Sequence, residues 1–253
     1  MRPRLNQTLA VLSIVCAAGV AVANAPSREA KLFDPPAAEK TLAPKSADDP
    51  VGQITCTYYA GLMVRETGTD TPDPGAATMV RFPALAKRPT CGRSASPIAT
   101  ALKTEGYSLL GRKGPFLVFD ATDPNGAVDF LVISASSGAK LFEDGKSERG
   151  LSTVSLEKGV LRLTYIRGLN APCSVVKDGA SCWASLAHAG AIPATLAHAL
   201  PPVRACAAAY RKGPRPTPPD DPSIILYAVA ATIDGSGKAS VSVNGPVTCE
   251  PMP

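Results

Sequence analysis

The sequence has few aromatic residues and almost no histidine. Phe, Trp and Tyr make up 5% of its 253 residues, with a single Trp, and there are only two His. A groove that stacks sugar rings or bases needs several aromatic faces. Tyr58, Tyr59, Tyr107 and Trp183 are the candidates for one, and each reads first as a core or core-edge residue. Beyond the N-terminal segment there is no apolar run of the roughly 18 residues that a membrane-spanning helix requires, so no span is expected in the rest of the chain. No Cys-x-x-Cys pair occurs, and both His stand away from the cysteines, which argues against a zinc site. The strained Gly-x-Ser-x-Gly elbow of many hydrolases is absent. There is also no large excess of charge. The 26 Lys and Arg stand against 21 Asp and Glu, a formal +5 that is too small for a nucleic-acid footprint. Nothing in the pattern calls for a cofactor or a metal.

Enough apolar residues are present to fill a core, at 45% of the chain. The 25 prolines argue against a helix bundle. Met1-Arg2-Pro3-Arg4 precedes an apolar run from Thr8 to Val22, and Ala21-Val22-Ala23 fits a small-x-small cleavage site. Residues 1–23 therefore read as a signal peptide cut after Ala23. Cys16 lies within the run, but Val15 before it is a poor fit to a lipid-modified cysteine. Removing this segment takes away Arg2, Arg4 and Cys16. It leaves a nearly neutral chain with an even six cysteines. Export and an even count point to three disulfides, with 15 possible connectivities. The in-order pairing, Cys56–Cys91, Cys173–Cys182 and Cys206–Cys249, is the simplest. Cys173 and Cys182 flank a turn signal at Lys177-Asp178-Gly179.

Residues 24–50 hold Pro26, Pro35, Pro36, Pro44 and Pro50 among scattered charges and read as a proline-rich linker or arm. Residues 51–253 read as a single β-rich domain. Gln53 to Tyr59, Leu62 to Glu66 and Ala77 to Phe82 are strand-like, and Ser96-Pro97 signals a short helix carrying Ile98 and Leu102. From Gly114 to Arg167 the spacing predicts a five-strand antiparallel meander with one wet face, because Leu161, Leu163 and Tyr165 alternate with Arg162 and Thr164. Within it, a strand followed by Ser137-Gly138-Ala139-Lys140-Leu141-Phe142-Glu143-Asp144 resembles one blade of a β-propeller, mostly in its hairpin punctuation, but no second copy is present and a propeller needs several. Residues 183–212 are Ala-rich and lack alternation. They predict a small two-helix insert, with Ile192, Leu196 and Leu200 on one stripe and Val203, Cys206, Ala207 and Tyr210 on a second face. Ile224 to Ile233 and Ala239 to Val243 form the closing hairpin. The expected fold is mostly β, an antiparallel sandwich or curled meander held by disulfides.

Chemistry is thinly signalled. Ser185 and His188 stand at i, i+3 with Asp178 nearby in sequence, so a triad is conceivable. His188 and His198 otherwise read as helix-surface or packing residues. Asp120, Asp123, Asn125 and Asp129 cluster in sequence, but their spacing is wrong for a calcium loop. Gly111-Arg112-Lys113-Gly114 and Arg211 to Arg215 read as solvated basic loops. The functional expectation is an exported, non-catalytic binding or interaction protein of the bacterial cell envelope, periplasmic or secreted, with an envelope protein or glycan as partner. The alternatives are a secreted hydrolase using His188 or His198, and a secreted enzyme inhibitor.

Overall fold

A computed structural model describes residues 29–69, 75–84, 86–121, 127–212 and 216–252. The expected signal peptide, Cys16, Asp123, Asn125 and the stretch 213–215 lie outside the described residues. The fold is mostly β, with three antiparallel sheets and no closed barrel. The first sheet runs β1 (Ala38–Leu42), β2 (Ile54–Tyr59), β3 (Leu62–Thr67), β4 (Thr78–Arg81) and β5 (Thr100–Ala101). The middle sheet runs β6 (Tyr107–Lys113), β7 (Phe116–Ala121), β8 (Val128–Ser134) and β9 (Lys140–Lys146). The third runs β10 (Leu151–Glu157), β11 (Val160–Asn170), β12 (Ser223–Ile233) and β13 (Ala239–Pro251). Strand order follows chain order in all three. Between β11 and β12 the chain forms α1 (Val175–His188), α2 (Ala194–Ala197) and α3 (Val203–Tyr210).

The central strands β7 and β8 of the middle sheet are buried on both faces along their apolar runs, and the sequence shows why. Phe116-Leu117-Val118-Phe119 and Phe130-Leu131-Val132-Ile133 are continuous apolar runs with no polar alternation. Leu117, Phe119, Leu131 and Ile133 pack against Leu62, Val64 and Met79 of the first sheet. Phe116, Val118, Phe130 and Val132 turn the other way. They join Leu161, Leu163 and Tyr165 of β11, the core residues of β12, and Trp183, Leu186 and Cys206 of the helices. The five-strand meander with one wet face is therefore corrected in two respects. Its strands divide between two sheets, and the apolar runs 116–119 of β7 and 130–133 of β8 are buried on both faces.

The division falls at Ser147 to Gly150, where the chain turns back on itself with Gly150 N–H donating to the Ser147 carbonyl at 3.0 Å. Here β9 crosses close to β11. Ser147 N–H donates to the Ile166 carbonyl at 2.8 Å. A Cβ on Gly145 would lie 2.8 Å from the Gly168 carbonyl oxygen, and one on Gly168 would lie 2.7 Å from Ala127 Cβ. Glycine at both positions lets the two backbones meet.

The helical region starts earlier than expected. Ser174 caps α1, its hydroxyl accepting from the Val176 and Lys177 N–H groups at 3.2 Å each. The Lys177-Asp178-Gly179 signal appears as a kink inside this helix, with Gly179 at φ 45° and ψ −109°. α2 is a single turn, and Leu200, expected on its apolar stripe, is 91% exposed. Pro201-Pro202 follow too soon for the stripe to continue. The helix expected after Ser96 is also absent. Ile98 is exposed, Thr100 and Ala101 pair with β4, and Leu102 is buried in the core between the first two sheets. A one- to two-turn helix is too short to hold itself against such pairing.

Disulfides join Cys56 to Cys91, Cys173 to Cys182 and Cys206 to Cys249. The first holds an irregular stretch against the outer face of the first sheet, where Tyr58 Oη also donates to the Pro89 carbonyl at 2.9 Å. The third ties α3 to β13. The described part of the proline-rich arm, from residue 29 on, lies on the body, and its residues Ala38–Leu42 form β1. Phe33 is buried against Gly111, where a Cβ would come within 2.5 Å of the ring. Asp34 N–H donates to the Arg112 carbonyl at 2.8 Å, and Lys113 Nζ donates to the Leu32 carbonyl at 3.0 Å. Arg112 donates to the Gly114 and Ala60 carbonyls and stacks over Tyr59. The basic stretch at 111–114 is thus a strand end that secures the arm, not a free loop.

Candidate functional site

A group of ionisable side chains gathers where β9 meets β11. A cleft of about 630 Å³ opens there, lined by Asp129, Glu143, Asp144, Gly145, Arg167 and Asn170 among others. Strand register places the carboxylates. Asp129 pairs with Gly145 and Leu131 with Glu143, so Asp129 and Glu143 share the face of the middle sheet that looks toward the first sheet. Asp144 pairs with Phe130 and points the other way, toward β11. The cleft therefore wraps around β9, the edge strand of its sheet.

Asp144 is the anchor of the inner side. It accepts from Tyr165 Oη in a short hydrogen bond, from Arg167 Nη2 at 2.6 Å and from the Gly145 N–H at 2.8 Å. Arg167 also sits over the Tyr227 ring, 6.0 Å from its centroid. Burial raises the Tyr165 hydroxyl pKa strongly, and the Asp144 charge adds to it. Burial works against the Arg167 charge, but Asp144 and Tyr227 more than offset it and its pKa rises. Behind them, buried Lys146 pairs with Asp120 at 3.0 Å. These charges are matched within the fold.

The outer side is different. Glu143 pairs with Lys140 at 2.5 Å and accepts from Tyr107 Oη at 3.3 Å. Asp129 forms no ion pair among the described residues, and its carboxyl pKa is raised by burial and by the nearby charges of Glu143 and Asp144. Tyr107 is pushed up to about 12, first by burial and then by Asp129 and Glu143. For both groups burial acts first and the neighbouring carboxylates add to it.

Of the residues singled out in the sequence, Asp120 and Asp129 are not brought together, because they stand on opposite faces of the middle sheet. Tyr107 donates to Glu143 of the cleft lining, while Tyr58, Tyr59 and Trp183 are buried. Ser185, His188, Asp178 and His198 are all exposed, and among the described residues no side-chain hydrogen bond or ion pair of either His is present. No group of three His, Cys, Asp or Glu among those residues is placed to hold a metal. Glu143, Asp144, Tyr165 and Arg167 were not singled out as a site. Glu143-Asp144-Gly145 reads locally as a turn, and only the pairing of β8 with β9 and the crossing of β11 assemble them.

Fold and cleft define a disulfide-linked protein of three stacked antiparallel sheets with an acidic edge. No family model, no curated protein and no solved structure matches the chain.

Proposed function

We propose that this is an exported, non-catalytic binding protein of the bacterial cell envelope, and that the outer side of the cleft receives a cationic group of its partner. The observation that carries this reading is the contrast across β9. The inner carboxylate, Asp144, is fully engaged by Tyr165, Arg167 and the Gly145 N–H, whereas Asp129 is accessible and lacks a countercharge among the described residues. A bound ammonium or guanidinium group relieves the repulsion between Asp129 and Glu143. The three disulfides support an oxidising compartment, and no helix among the described residues is long and apolar enough to cross a membrane.

The test is calorimetric titration of the protein with a lysine pentapeptide and with spermidine, compared with the Asp129→Asn/Glu143→Gln double variant. Both groups are at the surface, so the variant folds. Its affinity is expected to fall roughly tenfold, and wild-type binding to weaken as salt rises. Equal binding by the two proteins, or no binding by either, refutes the cleft assignment. Fractionation of expressing cells tests the location separately.

A further inference from the structure

Where the first two sheets meet, three chain reversals come together at one end. They are the β2–β3 turn at Ala60-Gly61, the β6–β7 turn at Gly114-Pro115 and the start of the β8–β9 hairpin at Ala135-Ser136. Arg81 closes β4 there, in register with Leu62. These segments surround a cavity of about 200 Å³. Among the described residues, the charged groups of its lining are Arg81 and Arg112, with no carboxylate. It shares no lining residue with the cleft at β9.

The two guanidinium groups are held differently. Arg112 is fixed. Its Nε donates to the Gly114 carbonyl at 2.6 Å, its Nη1 donates to the Ala60 carbonyl at 3.0 Å, and the group lies over the Tyr59 ring, 5.7 Å from its centroid. Its Nη2 forms no hydrogen bond among the described residues. Arg81 is exposed and makes no side-chain hydrogen bond or ion pair among them. Asp34, which the arm brings beside Arg112, stands outside the lining. Its carboxylate accepts from the Gly114 N–H at 2.7 Å and lies 3.8 Å from Lys113 Nζ. Neutral donors complete the set. Ser134 Oγ accepts from the Ser136 and Ser137 N–H groups at 3.3 Å each, so its own proton goes to Ser136 Oγ at 2.9 Å. That leaves the Ser136 O–H free to donate. The Gly61 N–H also has no acceptor among the described residues.

We propose that this cavity is an anion site that takes a phosphate group. Two guanidinium groups without a carboxylate between them suit a dianion, which removes their mutual repulsion. The donors come from two layers, Arg81 and Gly61 from the first sheet and Arg112 and Ser136 from the middle one. Donors arranged around a group in this way match the oxygens of a tetrahedral anion better than the single plane of a carboxylate. Arg112 is already positioned by its two carbonyl partners and the Tyr59 ring, so binding orders little beyond Arg81. Free phosphate and a phosphate monoester share this chemistry.

The test follows the amide resonances of the isotope-labelled full chain during titration with inorganic phosphate, glycerol phosphate and acetate. The ionic strength is held constant and the pH at about 7.5, where both phosphates are mainly dianions. Saturable shifts at Gly61 and Ser136 are expected with the two phosphates, and acetate is expected to bind about fivefold more weakly or worse. Arg81 is exposed and unpaired among the described residues, so Arg81→Gln keeps the fold. It is expected to weaken phosphate binding about fivefold, and Arg81→Lys less. Arg204→Gln takes the same charge from the exposed face of α3 and is expected to change nothing. Tighter binding of glycerol phosphate supports the site with an ester as its ligand, and tighter binding of inorganic phosphate supports it with the free ion. Three results overturn the proposal. One is no saturation at Gly61 and Ser136 up to about 50 mM phosphate. Another is acetate binding as tightly as phosphate. The third is the same affinity in Arg81→Gln and Arg204→Gln, which would assign any effect to net charge and none to this cavity.

Discussion

Glu66 is the residue at which burial and charge conflict most directly. It lies on β3 and is only 5% exposed, with its carboxylate accepting from the Leu109 N–H of β6 at 2.7 Å. Burial pushes its pKa up from 4.5 to about 7, against the lowering effect of that bond, and Glu39 adds to the rise. The folded protein therefore holds a proton that the unfolded chain releases between these two values. The contribution to stability is fully present below pH 4.5, is lost as pH rises toward 7, and beyond that the ionised carboxylate costs on the order of 3 kcal/mol. Glu66→Gln keeps an acceptor for Leu109 and cannot ionise. Urea unfolding at pH 8 should show the variant more stable than wild type by roughly 2–3 kcal/mol, with little difference at pH 4. The same difference at both pH values would show that shape, not ionisation, is responsible. Gly145 is the second position governed by its immediate neighbours. Gly145→Ala sets a methyl against the Gly168 backbone, and a loss of about 1–3 kcal/mol in the same assay is expected.

At the scale of elements, legibility followed whether the cause was local. The β11 and β12 strands could be read because alternation and turn residues lie within them. The helical region at 183–212 was recognisable from its Ala-rich composition, but its start was not. Gly179 reads as a turn, and only the Ser174 cap and the Cys173–Cys182 bridge show that it kinks a helix. β6 is not legible because Gly111 to Gly114 reads as a loop, yet Gly111 is there to admit Phe33 from a distant segment. The cleft was illegible for the same reason. Asp144 sits in a strand because Tyr165 and Arg167, some twenty residues on, satisfy its charge. The double burial of β7 is legible in its unbroken apolar run, which lacks the alternation of β11. Truncating this strand tests the assignment. Phe116→Ala and Phe119→Ala each remove a fully buried ring, one from each core. Each is expected to cost about 3–5 kcal/mol. Because the cores lie on opposite faces, the double variant should lose close to the sum of the two. Strong non-additivity in denaturant unfolding would mean that the two rings share one core.

Across the whole molecule, the disulfides divide the work by loop length. Cys56–Cys91 and Cys206–Cys249 span 35 and 43 residues and fasten separate layers, the covering loop to the first sheet and α3 to the third. Cys173–Cys182 spans nine residues within one helical segment that the Ser174 cap and the Gly179 kink already shape. If a bridge acts by restricting the unfolded chain, the long loops contribute about 4 kcal/mol each and the short one about 3 kcal/mol. Tertiary constraint widens the gap, because α3 loses its attachment to β13 when Cys206–Cys249 is removed, whereas α1 keeps its packing through Val175, Trp183 and Leu186. Replacing each pair by serine and measuring denaturant midpoints should therefore rank Cys173→Ser/Cys182→Ser as the mildest. The Cys206→Ser/Cys249→Ser variant should also lose protection from hydrogen exchange in α3 first, while amides of β7 and β8, buried between two layers, remain protected. Uniform loss of protection across all three sheets would show that the bridge supports the entire stack and not only its helical end.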